Sequence, residues 1–157
     1  MEVRRVPMEQ LVPLLEEQLD HGSARLPVTG SSMLPMLRGG RDVVSLVRLT
    51  QPPQRGDVLL YRRENGQYVL HRLIRAEGER CLFCGDNQWE REYLGAHCII
   101  ARVDRFRRGA RWIDTKRSRG YRLYTFVWTA LFPVRPVMIA TRRLLGRLRI
   151  IFRRDKR

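Results

Sequence analysis

Ser32 and His71 are the two residues of this chain whose types and settings are best suited to covalent chemistry. Ser32 lies in Val28-Thr29-Gly30-Ser31-Ser32-Met33-Leu34-Pro35-Met36-Leu37. There an apolar run enters, small residues bend the chain, and a proline follows three positions after the second serine. Such a bend presents a hydroxyl at a sheet edge with backbone N–H groups pointing the same way. Acyl transfer needs both, a nucleophile and donors for the developing oxyanion. Gly-Ser-Ser also suits a plain surface turn. His71 lies in Tyr68-Val69-Leu70-His71-Arg72-Leu73-Ile74, inside an apolar run. An imidazole with an ordinary pKa of about 6.5 is neutral at working pH and accepts a serine proton. A lone histidine in a strand is also compatible with a structural role.

The elements that must position these groups are legible from periodicity. Residues 7–20 read as an amphipathic helix, with Leu11, Leu14, Leu15 and Leu19 three and four apart and acids between them. Pro7 suits its first turn, Gly22 its stop, and Pro13 is an awkward interior residue. Residues 25–29, 42–48, 57–62, 68–75, 80–84 and 99–107 are short runs rich in Val, Leu and Ile. Turn signals divide them, among them Gly39-Gly40, Pro52-Pro53, Asn65-Gly66 and Gly85-Asp86. Asn65-Gly66 between two strands is a strong hairpin cue. The expected fold is mainly β within the α+β class, a small curled antiparallel sheet or barrel with an N-terminal helix and C-terminal amphipathic helices. Three regions follow: 1–24, a helix packed on the body; 25–114, the β-rich domain; and 115–157, a basic, aromatic and amphipathic helical tail.

The motifs come in a fixed order: Gly-x-Ser-Met-x-Pro, then Arg-Gly-Asp-Val with a strand (55–58), then Val-x-His-Arg with apolar residues, then Gly85-Asp86-Asn87. This order resembles the type I signal peptidases and the related LexA-like peptidases. The likeness is to the endoplasmic-reticulum-like subgroup in which His replaces a lysine base, and it covers roughly residues 25–107. The resemblance implies Ser32 as nucleophile, His71 as general base and Asp86 as a nearby acid that orients or charge-stabilises the base. It also implies an oxyanion site built around the Ser32 N–H, with Gly30, Ser31 and Met33 as its surroundings. Many relatives carry a second serine two positions before the nucleophile, where this chain has Gly30. The third catalytic acid of the His-type enzymes falls a few residues after Gly-Asp-Asn, where Glu90 and Glu92 are the candidates. No cofactor is implied.

Cys81, Cys84 and Cys98 with His97 have spacing compatible with a zinc site, and equally with small hydrophobes in strands. No metal is expected. An odd cysteine count favours a reducing compartment. The first thirty residues hold no uninterrupted apolar run, so neither a leader nor an N-terminal membrane anchor is expected.

Charge is unevenly distributed. Residues 1–100 hold 13 Lys+Arg and 13 Asp+Glu, whereas residues 101–157 hold 18 and 3. A tail of that sign seeks an anionic partner. The helical pattern of 121–132 is apolar nearly all round. Beyond Pro136, Val137, Leu144, Leu145, Leu148, Ile151 and Phe152 line one face and arginines the other. A basic amphipathic helix with an aromatic lead-in suits an anionic membrane surface, through residues 121–157, better than nucleic acid. Packing of 121–132 on the β body is the other use of that stretch. The expected activity is a serine endopeptidase that clips a leader from a peptide or protein precursor. The expected location is the cytoplasm, peripheral at the inner membrane face. A non-catalytic LexA-like binding module, its basic tail on nucleic acid or membrane, is the alternative.

Overall fold

A computed structural model describes residues 8–135 together with Val137 and Thr141. Helix α1 (Met8–Asp20) is followed by strands β1 (Ala24–Pro27), β2 (Val43–Val47), β3 (Val58–Arg62), β4 (Tyr68–Glu77), β5 (Arg80–Cys84), β6 (Glu92–Gly95), β7 (Ile99–Arg108) and β8 (Arg111–Asp114). Helix α2 (Arg119–Ala130) and a 3-10 turn (Phe132–Val134) close the described chain. The fold is mainly β, one curled antiparallel half-barrel sheet with a helix at either end. The second C-terminal helix expected beyond Pro136 lies outside the described residues.

The sheet runs β1-β2-β7-β3-β4-β5-β6. The long β7 carries β2 along one edge, and β3 followed by β8 along the other. The register shifts between Ser45 and Leu46, between Leu60 and Tyr61, and between Leu73 and Arg75. Such irregularities bend strands and raise twist, which accounts for the curl. All six strands expected from the sequence are present. The two not expected, β6 and β8, have four residues each and too few alternations to register as a pattern.

Both faces of the central strands are buried, so strand alternation sorts side chains into separate cores. Val58 and Leu60 on β3 join Met33, Met36, Leu37, Val44, Leu46, Val103 and Phe106 in the main cluster. Their neighbours Leu59 and Tyr61 join Leu73, Cys81 and Phe83 on the opposite face. Helix α1 caps the main cluster with Leu15 and Leu19, and Val12 is buried too. Leu14 is 58% exposed, so the buried stripe runs through 12, 15 and 19 rather than through Leu14.

Candidate active site

The site is built from β4 outward. On this strand His71 and Arg72 point to opposite faces because adjacent strand residues alternate. His71 is paired with Leu59 of β3, and its ring is buried among Tyr61 and the second core cluster. The Tyr61 hydroxyl lies 3.0 Å from His71 Nδ1. Glu92 Oε1, from β6, lies 3.5 Å from the same nitrogen. Glu92 is in turn held by Arg63, whose Nε donates to Oε2 at 2.7 Å and whose Nη2 donates to Oε1. Nε2, the other ring nitrogen, takes part in none of these contacts.

Of the two acids considered as the third member, Glu92 reaches the imidazole, and Glu90 is exposed outside this group. The register explains the difference. Glu92 pairs with Phe83 of β5, and Phe83 shares a face with Leu73 and Tyr61.

Electrostatics favour a neutral imidazole. Burial lowers the His71 pKa to about 4, the Glu92 charge opposing and Arg63 assisting. Burial also acts to raise the Glu92 pKa. The hydrogen bond and charge of Arg63 outweigh it, and the carboxyl stays below its usual range. Glu92 is therefore an anion beside a neutral imidazole, ready to stabilise the imidazolium when a proton arrives. The Tyr61 hydroxyl, raised chiefly by burial and secondly by Glu92, stays protonated.

Ser32 sits at the start of a tight turn. The Leu34 N–H donates to Ser31 O at 3.2 Å and the Leu37 N–H to Met33 O at 2.9 Å. Met33 is buried and anchors the turn in the main core, whereas Gly30 and Ser31 are exposed. The base of the loop is closed by Asp42: Arg38 N donates to Oδ2 at 3.0 Å, and the Val28 N–H to Asp42 O at 3.0 Å. Gly39 packs so tightly here that a Cβ would stand 2.5 Å from Gly30 O.

The turn is also tied to the Gly85-Asp86-Asn87 loop that leaves β5. The Asn87 N–H donates to Ser32 O at 2.7 Å, and Asn87 Nδ2 to Ser31 O at 3.3 Å. A Cβ at Gly85 would lie 2.8 Å from Ser32 O, so only glycine allows this approach. The Ser32 hydroxyl and the His71 ring are not hydrogen-bonded to each other in this structure.

Asp86 makes no hydrogen bond to the imidazole, but against the larger effect of burial its charge acts on the ring to raise its pKa. Its Oδ1 and Oδ2 accept from Arg72 Nε and Nη2 at 2.8 and 2.7 Å, a bidentate pair with both side chains fully buried. Tyr124 of α2 donates to Asp86 Oδ2 at 3.0 Å, and Arg135 Nη2 stands 3.9 Å from Oδ1. Arg72 also donates to Gly56 O at 2.7 Å and to Thr125 Oγ1 at 3.1 Å. Asp86 is also the hub that locks α2 to the loop holding Ser32. Burial acts to lower the Arg72 pKa, but Asp86 more than offsets it and keeps the guanidinium charged.

The cysteines do not converge. Cys81 and Cys84 are three apart on β5 and fall into separate clusters on opposite faces. Among the described residues no three His, Cys, Asp or Glu side chains gather as a metal site.

Four residues of this arrangement, Tyr61, Arg63, Tyr124 and Arg135, belong to no motif that marks them in the sequence. Tyr61 is two residues from Leu59, the strand partner of His71, and so shares its face. Locating it from sequence requires the β3–β4 register, which Asn65-Gly66 supplies. The other three depend on non-local packing. No protein-family model matches the chain, and a search of the curated proteins finds no match.

Proposed function

We propose that this chain is a serine endopeptidase of the signal-peptidase and LexA-like type that removes a leader segment from a peptide or protein precursor. The observation that carries the proposal is a chain of contacts joining the motif segments, with Arg72 also donating to Gly56 O of the Arg-Gly-Asp-Val segment. Asn87 holds the Ser32 backbone, Asp86 holds Arg72, and the residue before Arg72 is a buried imidazole backed by Tyr61, Glu92 and Arg63.

The His71 Nδ1–H donates to the Tyr61 oxygen and the Tyr61 hydroxyl faces the Glu92 carboxylate, which leaves the lone pair on Nε2. Nε2 takes the Ser32 proton as Oγ attacks the scissile carbonyl. The Ser32 N–H stabilises the oxyanion. His71 then protonates the leaving amine, and water, activated by the same nitrogen, releases the acyl group. Glu92 stabilises the transient imidazolium, and Arg63 holds Glu92 in position.

The reading extends to a membrane surface as partner. The inner side of α2 packs on the body through Tyr121, Tyr124 and Thr129. Its outer side leaves Leu123 64% and Phe126 71% exposed, next to Arg119 and Arg122. An apolar ridge with flanking arginines suits an anionic bilayer interface. No helix among the described residues is long and apolar enough to cross a membrane.

The test is incubation of a complex peptide library with wild type, Ser32→Ala and His71→Ala, reading new termini by mass spectrometry. New termini with wild type, absent from both variants, are expected. Equal cleavage by all three sinks the mechanism.

A further inference from the structure

We propose that a groove on the reverse face of β4–β6, across the sheet from His71, holds an acidic, apolar-studded segment of the precursor in extended form along β6. The assignment of that segment to a precursor rests on the peptidase reading above; the groove and its charge do not.

The groove has a volume of about 770 Å³ and lies between the outer side of β4–β6 and the 3-10 turn at Phe132. Its floor is apolar, with Ile74 and Leu82 buried. Arg55, Arg75, Arg80 and Arg91 line it against one acid, Glu77, which is paired with Arg75 at 2.6 Å. Arg55, Arg80 and Arg91 have no acidic partner among the described residues. Two of these three are held in place by rings. The Arg80 guanidinium carbon stands 4.6 Å from the Tyr93 ring centre, and that of Arg91 stands 5.1 Å from Phe132. A stacked guanidinium keeps its planar fork ordered for a carboxylate. The site therefore offers excess positive charge around an apolar floor.

The edge strand selects a peptide over other anions. Among the described residues β6 pairs with β5 alone and ends the sheet, so its outer main-chain groups remain available for an added strand. A lipid headgroup or an oligonucleotide makes no use of such an edge. β6 also links the groove to the candidate site, since alternation turns Glu92 toward His71 and Tyr93 into the groove. A chain laid along β6 would thus have one portion held by these arginines on the strand that carries Glu92.

The experiment uses the full chain carrying Ser32→Ala, so that binding is read without cleavage. Fluorescence anisotropy is measured with an alternating Glu/Leu decapeptide, its Lys/Leu counterpart, a single-stranded ten-nucleotide DNA and phosphatidylserine vesicles. The Glu/Leu peptide is expected to bind, the Lys/Leu peptide not, and Arg80→Glu with Arg91→Glu to weaken binding at least tenfold. Arg80→Gln with Arg91→Gln, a milder change at two exposed positions, is expected to weaken it in the same direction. Unchanged Glu/Leu binding in both double variants overturns the proposal. So does DNA or vesicle binding that depends on these arginines while the peptide is ignored. Arginine-dependent peptide binding by a chain whose wild type cleaves nothing would leave the groove standing and remove the peptidase reading.

Discussion

Glu92 stands 3.5 Å from the Nδ1 of His71 and is clamped from its other side by Arg63, so an anion and a neutral imidazole share one buried corner of the sheet. In the proposed mechanism the carboxylate would act after proton transfer, since it does little for a neutral ring and much for a charged one.

The first prediction concerns pH. The His71 pKa of about 4 means that the base is free throughout the neutral range. Cleavage, read as kcat/KM, should be flat above about pH 5.5 and fall as pH drops through about 4. Because the Glu92 charge raises the His71 pKa, Glu92→Gln should move this acid limb to lower pH and lower the plateau by roughly 10²-fold. A limb that does not move under Glu92→Gln removes Glu92 from the site.

Asp86 and Arg72 should behave as a structural pair. Asp86→Ala leaves Arg72 and Arg135 charged and buried without their acid, at a cost of about 3–5 kcal/mol in urea unfolding. Replacing both partners, as Arg72→Met with Asp86→Leu, should cost clearly less than Asp86→Leu alone. Additive losses in that double-mutant cycle would contradict the coupling.

Gly30 offers a gain-of-function test. A Cβ built there stands 4.0 Å from both the N and Oγ of Ser32 and meets nothing closer. Gly30→Ser is therefore accommodated and brings a hydroxyl to the oxyanion side. The expected result is a rise in kcat of roughly tenfold with KM little changed. A fall in kcat with intact folding would show that the oxyanion lies elsewhere.

The outer ridge of α2 is tested by flotation with phosphatidylserine vesicles. Leu123→Glu with Phe126→Glu alters two exposed positions, so folding should be preserved and vesicle binding should drop at least fivefold. Binding that is unchanged would remove the membrane surface from the role of α2.

How much of this was legible in the sequence follows from the range of each interaction. The six Val/Leu-rich strands are local patterns, and they were readable from alternation and turn residues. Ser32 and His71 stood out because a small-residue bend and a polar residue in an apolar run are also local signals. Asp86 was singled out by its motif, but its partner was not foreseeable. The pairing with Arg72 depends on β4–β5 register, and that with Tyr124 on how α2 folds back across the sheet. Glu90 and Glu92 were indistinguishable in sequence because β6 is too short to show alternation. Only its pairing with β5 turns Glu92 inward. Leu14 looked like a core residue by spacing, yet the docking angle of α1 buries Val12 instead.

The most direct measurement is covalent labelling of the nucleophile. Wild type, Ser32→Ala and His71→Ala are treated with a fluorophosphonate at pH 7.5, and the adduct is located by peptide mass spectrometry. A single adduct on Ser32 is expected, none in Ser32→Ala, and a labelling rate reduced by roughly 10²-fold or more in His71→Ala. Labelling of Ser32 at the same rate without the imidazole, or no adduct on Ser32 in the folded protein, would contradict the proposed mechanism.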